Sequence, residues 1–323
     1  MCLGLVCIGL YPFLLLALLM FFMCVYDADI NVFVRSLWGK PIESLSGKVV
    51  WITGASSGIG EHIAYQLASV GCKLVLSARR KEELERVKQT CLMTNRGTLS
   101  DDDILVLPLD IIKFESHKSA VKQVLDHFKK IDILINNAGR FQQAWWTDID
   151  LEVDRHIFEL NVLGPVSLTQ AVLPHMIERK AGQIAVMSSL AGITAAPGSR
   201  SYCGSKHALH GYYDVLRFEL CAHNIDVTII CPGPVKSELL TNAVTGKKEE
   251  PLKNHSKIFR KQMSTERCAY LSCLAIANRM YEVWISIPPF VLFTFGMTYL
   301  ATFSKWMCTT PCIRRFFNLP KRK

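Results

Sequence analysis

Short apolar, β-branched runs alternate along most of this chain with longer segments whose apolar positions recur every three to four residues. The runs at Val49–Thr53, Lys73–Ser77, Ile104–Leu109, Ile131–Ile135, Gln183–Met187 and Asp226–Cys231 have the length and content of buried strands. Between them, Gly60–Val70, Lys81–Leu92, Ser116–Phe128, Leu151–Arg179 and Tyr202–His223 read as helices. Continuous apolar strands separated by helices predict a parallel sheet with helices on both faces, an α/β doubly wound fold of Rossmann type. No repeat of solenoid period breaks the pattern, and residues 47–285 read as one domain. In such sheets ligands bind beyond the carboxyl ends of the strands, so chemistry is expected just after each apolar run.

Both ends depart from this alternation. From Met1 to Tyr26 there is no charged side chain, and residues 3–26 are mostly Leu, Phe, Met, Val and Cys. As a helix that run would span roughly 36 Å at about 1.5 Å per residue, enough to cross a hydrocarbon core of about 30 Å. A cleaved signal peptide would need basic residues before a shorter run and a small-x-small site after it; Val25-Tyr26-Asp27 is a poor one. Residues 1–26 are therefore expected to be an N-terminal membrane anchor, followed by a linker over 27–46. Arg35, Lys40 and Lys48 follow the run and no basic residue precedes it, which favours a cytosolic domain. In the luminal orientation, Asn254-His255-Ser256 would be a glycosylation triplet. The last segment, 286–323, holds an uncharged stretch at 287–304 and a basic tail. Pro288-Pro289 and Gly296 shorten the stretch, so it reads as an interfacial helix beside the substrate cleft, dipping into one leaflet. Packing against the domain or against a second copy in a homodimer, and a second span, are the alternatives.

Half of the 323 residues are apolar and a fifth are charged, the proportions of a folded protein rather than a disordered one. The net charge of +9 does not come with the aromatic-interleaved basic run of a nucleic-acid module. Lys305, Arg314, Arg315, Lys321, Arg322 and Lys323 instead place positive charge beside an apolar segment, where it would meet anionic lipid headgroups or simply solubilise the tail. The twelve cysteines are scattered, with no CxxC and histidine grouping, so neither a metal site nor a disulfide scaffold is expected.

The first strand ends in Thr53-Gly54-Ala55-Ser56-Ser57-Gly58-Ile59-Gly60 and runs into a helix. Glycines permit the tight turn and a close approach of diphosphate, and the helix N-terminus supplies free N–H groups. The second strand ends Ser77-Ala78-Arg79-Arg80, with no carboxylate to hold ribose hydroxyls. Arginine there suits a 2′-phosphate, so NADP(H) is the expected cofactor. Further along, Tyr202 and Lys206 share one helix face at i,i+4, and Ser189 lies just past the fifth strand. A fixed cation beside the phenol is expected to lower its pKa.

With these motifs and Asn136-Asn137-Ala138-Gly139, residues 47–285 resemble the short-chain dehydrogenase/reductase family, and within it a membrane-bound retinoid- and steroid-type branch. The latter rests on Leu76-Ser77-Ala78-Arg79-Arg80, Leu173-Pro174-His175-Met176 and Cys231-Pro232-Gly233-Pro234-Val235. The resemblance implies a catalytic tetrad of Asn161, Ser189, Tyr202 and Lys206. It also implies cofactor contacts from Gly54, Ser56, Ser57, Gly58, Ile59, Gly60, Arg79, Arg80, Asp110, Asn137, Tyr202, Lys206, Pro232, Val235 and Ser237. Ser237 stands where the family more usually has threonine, and Asn161 would position a water that relays protons to Lys206. Phe141, Trp145 and Trp146 are candidates for an apolar pocket wall.

The expected activity is NADPH-dependent reduction of a lipophilic carbonyl (a retinal, a steroid ketone or a xenobiotic) at the endoplasmic reticulum membrane. Two rivals are an NAD-dependent alcohol dehydrogenase working toward oxidation and a non-catalytic nucleotide-binding scaffold.

Overall fold

The computed structural model describes residues 18, 20–22, 25–94, 99–240, 242–247, 250–251 and 261–310. Strands form where the apolar runs lie: β1 (Val49–Thr53), β2 (Lys73–Ser77), β3 (Ile104–Val106), β4 (Ile133–Asn136), β5 (Gly182–Met187), β6 (Ile225–Pro232) and β7 (Glu282–Ile285). They make one parallel seven-stranded sheet in the order β3-β2-β1-β4-β5-β6-β7, with the chain reversing its direction of travel across the sheet after β3. Successive side chains of a strand point to opposite faces, and the core divides accordingly. Val50 and Ile52 join one apolar cluster and Trp51 the other. On the first face lie α2 (Gly58–Ser69), α3 (Lys81–Thr94) and α8 (Thr265–Ala277). On the second lie α4 (His117–Phe128), α6 (Gly164–Arg179) and α7 (Arg200–Leu220). The expected doubly wound α/β fold is observed.

Three features differ from the sequence expectation. The single helix expected over Leu151–Arg179 is α5 (Leu151–Phe158), a π turn at Glu159–Leu163, and then α6. Pro165 has no N–H, so the Asn161 carbonyl lacks its helical i+4 donor, and the ladder shifts at that point. The edge strand β7 is too short to carry a period of its own. Residues 27–46, expected as a linker, are built onto the domain. They contain α1 (Ile30–Trp38), whose Val32 is buried in the first-face cluster.

That segment closes the sheet at β7. Asp29 N donates to Trp284 O at 2.8 Å, Ser286 N to Asp27 O at 3.0 Å, and Ala28 bridges Ile285 in antiparallel register. Asp29 also caps α1, accepting from Asn31 N at 2.8 Å and Val32 N at 3.1 Å, and its other oxygen accepts from Trp284 N at 2.6 Å. Asp27 takes both arms of Arg267 on α8, at 2.8 and 3.0 Å. An exposed sheet edge is thereby paired and covered.

The anchor expected over 1–26, the glycosylation triplet at Asn254 and the basic tail from Arg314 onward fall wholly or mostly outside the described residues. Among the described residues no helix is long and apolar enough to cross a membrane. The stretch 287–304 forms two short helices, α9 (Phe290–Tyr299) and α10 (Ala301–Cys308), neither of them a second span.

Because Asp29 satisfies three backbone donors at once, Asp29→Ala leaves an edge strand and a helix end unpartnered. It is expected to lower stability by about 2 kcal/mol, from the usual size of a lost cap plus a lost charged hydrogen bond. Urea unfolding followed by circular dichroism measures this.

Candidate active site

At the carboxyl ends of β1, β2, β4, β5 and β6 the chain leaves a cleft of about 2020 Å³. Its nucleotide half is built around the turn from β1 to α2. Gly54 and Gly58 hold φ +64° and +60°, values that side chains disfavour. At Gly60 a Cβ would collide with the Gly54 carbonyl, and at Gly54 it would lie 2.9 Å from Asn137 Nδ2 and Ala138 Cα. The turn is thus packed flat against the loop after β4. Asn137 staples it there, its Nδ2 donating to Thr53 O at 3.0 Å and Gly54 O at 3.2 Å. Ser57 sits at the N-cap of α2 without bonding the helix through its side chain, so the helix N-terminus is left for an anion.

Ser56, Ser57, Gly58, Ile59, Arg79, Arg80, Asp110, Asn137, Pro232, Val235 and Ser237 all line this cleft, as Gly54 does. Gly60 lies behind the turn, a packing glycine rather than a lining residue. Arg79 is exposed at the end of β2, and no hydrogen bond or ion pair holds its guanidinium among the described residues. Arg80 reaches Ser56 Oγ at 3.4 Å and Glu238 Oε2 at 3.5 Å across the cleft. The flat glycine turn and the open helix end fit the diphosphate of a nicotinamide dinucleotide.

The four residues expected to be catalytic come together deeper in the cleft. Asn161, on the π turn, is fully buried. Its Oδ1 accepts from Arg140 N at 2.8 Å, and its Nδ2 donates to Arg140 O and to Ser205 Oγ, each at 3.0 Å. The Asn161 amide therefore braces the loop after β4 against α7. Ser189 starts the loop after β5; its Oγ donates to Pro232 O at 3.2 Å and hydrogen-bonds the Tyr202 phenol. The Ser188 hydroxyl beside it lies against the Lys206 carbonyl oxygen and His210 Nε2, at 3.2 and 2.9 Å. Tyr202, 6% exposed, is walled by Phe141, whose ring meets it edge-on at 4.8 Å between centroids. Lys206 lies one turn later, its Nζ donating to Met187 O at 2.6 Å and standing 5.7 Å from the Tyr202 ring centroid.

The electrostatics correct one expectation. Burial, not the neighbouring cation, dominates both groups: Tyr202 is pushed up to about 12 and Lys206 down to about 8. The usual order of the two acids is inverted, and the lysine becomes the more acidic.

The substrate half is apolar and assembled from distant elements. Phe141 and Trp145 line it as expected. Trp146 does not: it is 73% exposed, with the Arg200 guanidinium 4.9 Å above its ring. Leu190 and Leu240, which were not anticipated, and Phe290, Phe293 and Met297, from the stretch expected beside the cleft, complete the wall. They follow β5, follow β6 and sit on α9, with no spacing that links them along the chain.

A profile of the short chain dehydrogenase family matches residues 48–248. The chain is similar to dehydrogenase/reductase SDR family member 7 of Homo sapiens, 47% identical over 294 residues, which cover 90% of this chain and 86% of that protein. The Mus musculus protein of the same name is 45% identical over 283 residues, 87% of this chain and 83% of its own. Among solved structures, a short-chain dehydrogenase from Streptomyces avermitilis superposes with TM-score 0.69 at 27% identity, over 81% of this chain and 96% of that one. An alcohol dehydrogenase from Thermococcus sibiricus complexed with 5-hydroxy-NADP gives TM-score 0.63 at 25% identity, over 75% of this chain and 97% of that one. With the fold, the glycine turn and the four gathered side chains, these likenesses place the chain in the short-chain dehydrogenase/reductase family, oxidoreductases that act on CH–OH and carbonyl groups with a nicotinamide cofactor.

Proposed function

We propose that the protein is a membrane-anchored, NADP(H)-dependent reductase of lipophilic carbonyl compounds. The observation that carries this reading is a buried Tyr202, protonated at neutral pH, hydrogen-bonded to Ser189 at the inner end of an apolar-walled cleft. When bound, a reduced nicotinamide supplies hydride to the carbonyl carbon. The Ser189 hydroxyl turns from Pro232 O to the substrate oxygen and stabilises the negative charge that develops there. Tyr202 gives its proton to that oxygen. The resulting phenolate is unfavourable in its apolar surroundings. With Tyr202 at about 12 and Lys206 at about 8, return of a proton from the lysine to the tyrosine runs downhill.

NADP(H) is favoured over NAD(H) by the exposed Arg79 and Arg80 and by the absence of an acidic residue at the end of β2. The membrane reading is supported by the uncharged run before Asp27 and by the aromatic side chains that α9 and α10 leave exposed beside the cleft, among them Phe293, Tyr299, Phe303 and Trp306. Such rings suit an interface between headgroups and acyl chains. A lipophilic carbonyl dissolved in the bilayer would then be close to the cleft mouth. The endoplasmic reticulum, with the domain on the cytosolic side, is the proposed location.

NADPH oxidation by the detergent-solubilised full chain against retinal, steroid ketones and aromatic ketones tests the reading. Turnover of at least one class is expected; none across the panel, with NADPH still bound, would favour the scaffold. Tyr202→Phe should lower kcat by about 10²- to 10⁴-fold, the range of a lost general acid, while NADPH binding measured by fluorescence is kept. Arg79→Ala with Arg80→Ala should raise the KM for NADPH by about ten- to a hundredfold, the scale of lost charged hydrogen bonds, and leave that for NADH little changed. In sealed microsomes, protease added outside should digest the catalytic domain; protection would place it in the lumen.

A further inference from the structure

Four buried side-chain polar atoms are without a hydrogen-bond partner among the described residues: His117 Nε2, Asn136 Oδ1, Gln143 Oε1 and Ser286 Oγ. Of these four residues, Gln143 is the one that lines the cleft. A buried carbonyl oxygen with no donor is costly, and native proteins leave few of them. In the wall of a binding cleft, the ligand is the natural source of the missing donor.

The segment after β4 runs outward from the tetrad. A Cβ on Gly139 would stand 3.7 Å from Lys206 Nζ, the Phe141 ring meets that of Tyr202 at 4.8 Å, and Trp145 is 46% exposed. Gln142 pairs with Val244 in a parallel bridge, so the backbone here is strand-like and its side chains alternate. Gln142 is accordingly turned away and fully buried, while Phe141 and Gln143 both line the cleft. Two residues of extended chain put Gln143 about 6.6 Å beyond Phe141. Its amide thus shares a wall with the ring that packs on the proton donor, farther toward the cleft mouth. The neighbouring donors are already committed. Gln143 N donates to Val244 O and Ala144 N to Gly198 O, each at 2.9 Å. Thr194, another polar side chain of this half, donates its hydroxyl to Leu190 O at 3.1 Å. Gly198, at φ +78°, brings its turn against the stem of Gln143, where a Cβ would lie 3.8 Å from Gln143 Cγ.

We propose that Gln143 determines substrate specificity by accepting, at Oε1, a hydrogen bond from a hydroxyl that the substrate carries away from its reacting carbonyl. The substrate class is thereby narrowed from lipophilic carbonyls at large to lipophilic hydroxycarbonyl compounds. A hydroxyl entering the apolar cleft gives up its water and regains a partner at Gln143. A substrate with hydrogen in its place leaves the amide oxygen buried and unpaired. A site of this kind rejects the analogue that lacks the hydroxyl more strongly than an apolar pocket rejects one that is a methylene short. Gln143 acts on the substrate body and not on the reacting carbonyl, so its loss shows in the choice of substrate rather than in the chemistry. This assignment rests on the carbonyl-reductase reading of the same site.

The test gives the full detergent-solubilised chain, with NADPH, three related ketones. One is a steroid monoketone with a hydroxyl on the ring farthest from the carbonyl; the others are its deoxy counterpart and its methyl ether, which cannot donate. kcat/KM should be about tenfold or more higher for the hydroxyketone than for either of the others, the scale of an acceptor left buried and unpaired. Gln143→Met, similar in length and apolar, should lower kcat/KM for the hydroxyketone by about the same factor and leave the deoxy ketone unchanged or improved, so that the preference disappears. An unaltered chain indifferent to the hydroxyl, a methyl ether reduced as well as the hydroxyketone, or equal losses for all three ketones in Gln143→Met would each overturn the proposal. Should Gln143→Met fail to fold, Gln143→Asn makes the same test, because its shorter stem withdraws the amide and should also abolish the preference. Should the unaltered chain bind NADPH yet reduce none of the three, the reductase reading fails. Binding of the corresponding diol and of its deoxy alcohol to the chain loaded with NADP, followed by fluorescence, then tests Gln143 alone. Tighter binding of the diol that Gln143→Met abolishes supports the role of the amide, and equal binding overturns it.

Discussion

The site depends on one buried contact, the Lys206 ammonium held against the Met187 carbonyl at the end of β5. An ammonium removed from water costs several kcal/mol unless it is paired and hydrogen-bonded, and the main partner here is a backbone oxygen. That poverty of partners makes the lysine an acid of about 8 rather than a permanent cation. The same enclosure keeps Tyr202 protonated. A more polar pocket would leave both groups near their ordinary values, and the downhill return of the proton would be lost. The apolar walls are thus part of the acid–base chemistry as well as of substrate binding.

Enclosure of this kind requires that several elements be stapled at one level of the sheet. β5 supplies Met187, α7 supplies Tyr202 and Lys206, and the loop after β4 closes over them through Asn161. Asn161 can reach both Arg140 and Ser205 because the π turn at Glu159–Leu163 rotates it inward from what would otherwise be a continuous α-helix. Pro165 forces that turn by withholding one N–H, and Gly164 lets the helix approach Ile111, where a Cβ would stand 2.8 Å from its side chain. A local defect in the helix ladder is thereby converted into a fixed contact at the catalytic level.

Much of this was legible because parallel sheets bury their strands on both faces. Val49–Thr53 and Lys73–Ser77 were readable to the residue, since a run of apolar side chains bounded by polar ones has only one interpretation there. The nucleotide turn and the tetrad were readable for another reason: their chemistry needs fixed spacings along the chain. What was not legible depends on contacts between distant residues. The strand β7 exists because β6 and residues 27–29 offer it hydrogen bonds on both sides, not because Glu282–Ile285 has a pattern. The segment after Tyr26 looked like a linker because Val32 is the one residue that α1 buries, and Ala28, Ile42 and Leu45, buried on either side of that helix, share no period with it. Trp146 has the composition of a pocket residue and the position of a surface one, and composition cannot separate those.

The substrate wall follows the same division, with a consequence for specificity. The nucleotide half is built around the turns after β1 and β2, held in place by Asn137 from the loop after β4. The apolar half is shared among the loops after β4, β5 and β6 and the helix α9. α9 is joined to the sheet through β7 and Pro288-Pro289, and Val291 and Thr294 are the positions it buries. Its Phe293 and Met297 line the cleft while its far end is exposed. A displacement of α9 therefore alters the width of the substrate half without disturbing the tetrad, whose anchors lie on β5, α7 and the π turn. Chemistry and substrate selection rest on separable parts of the structure, and the part that selects is also the part turned toward the exposed aromatic surface.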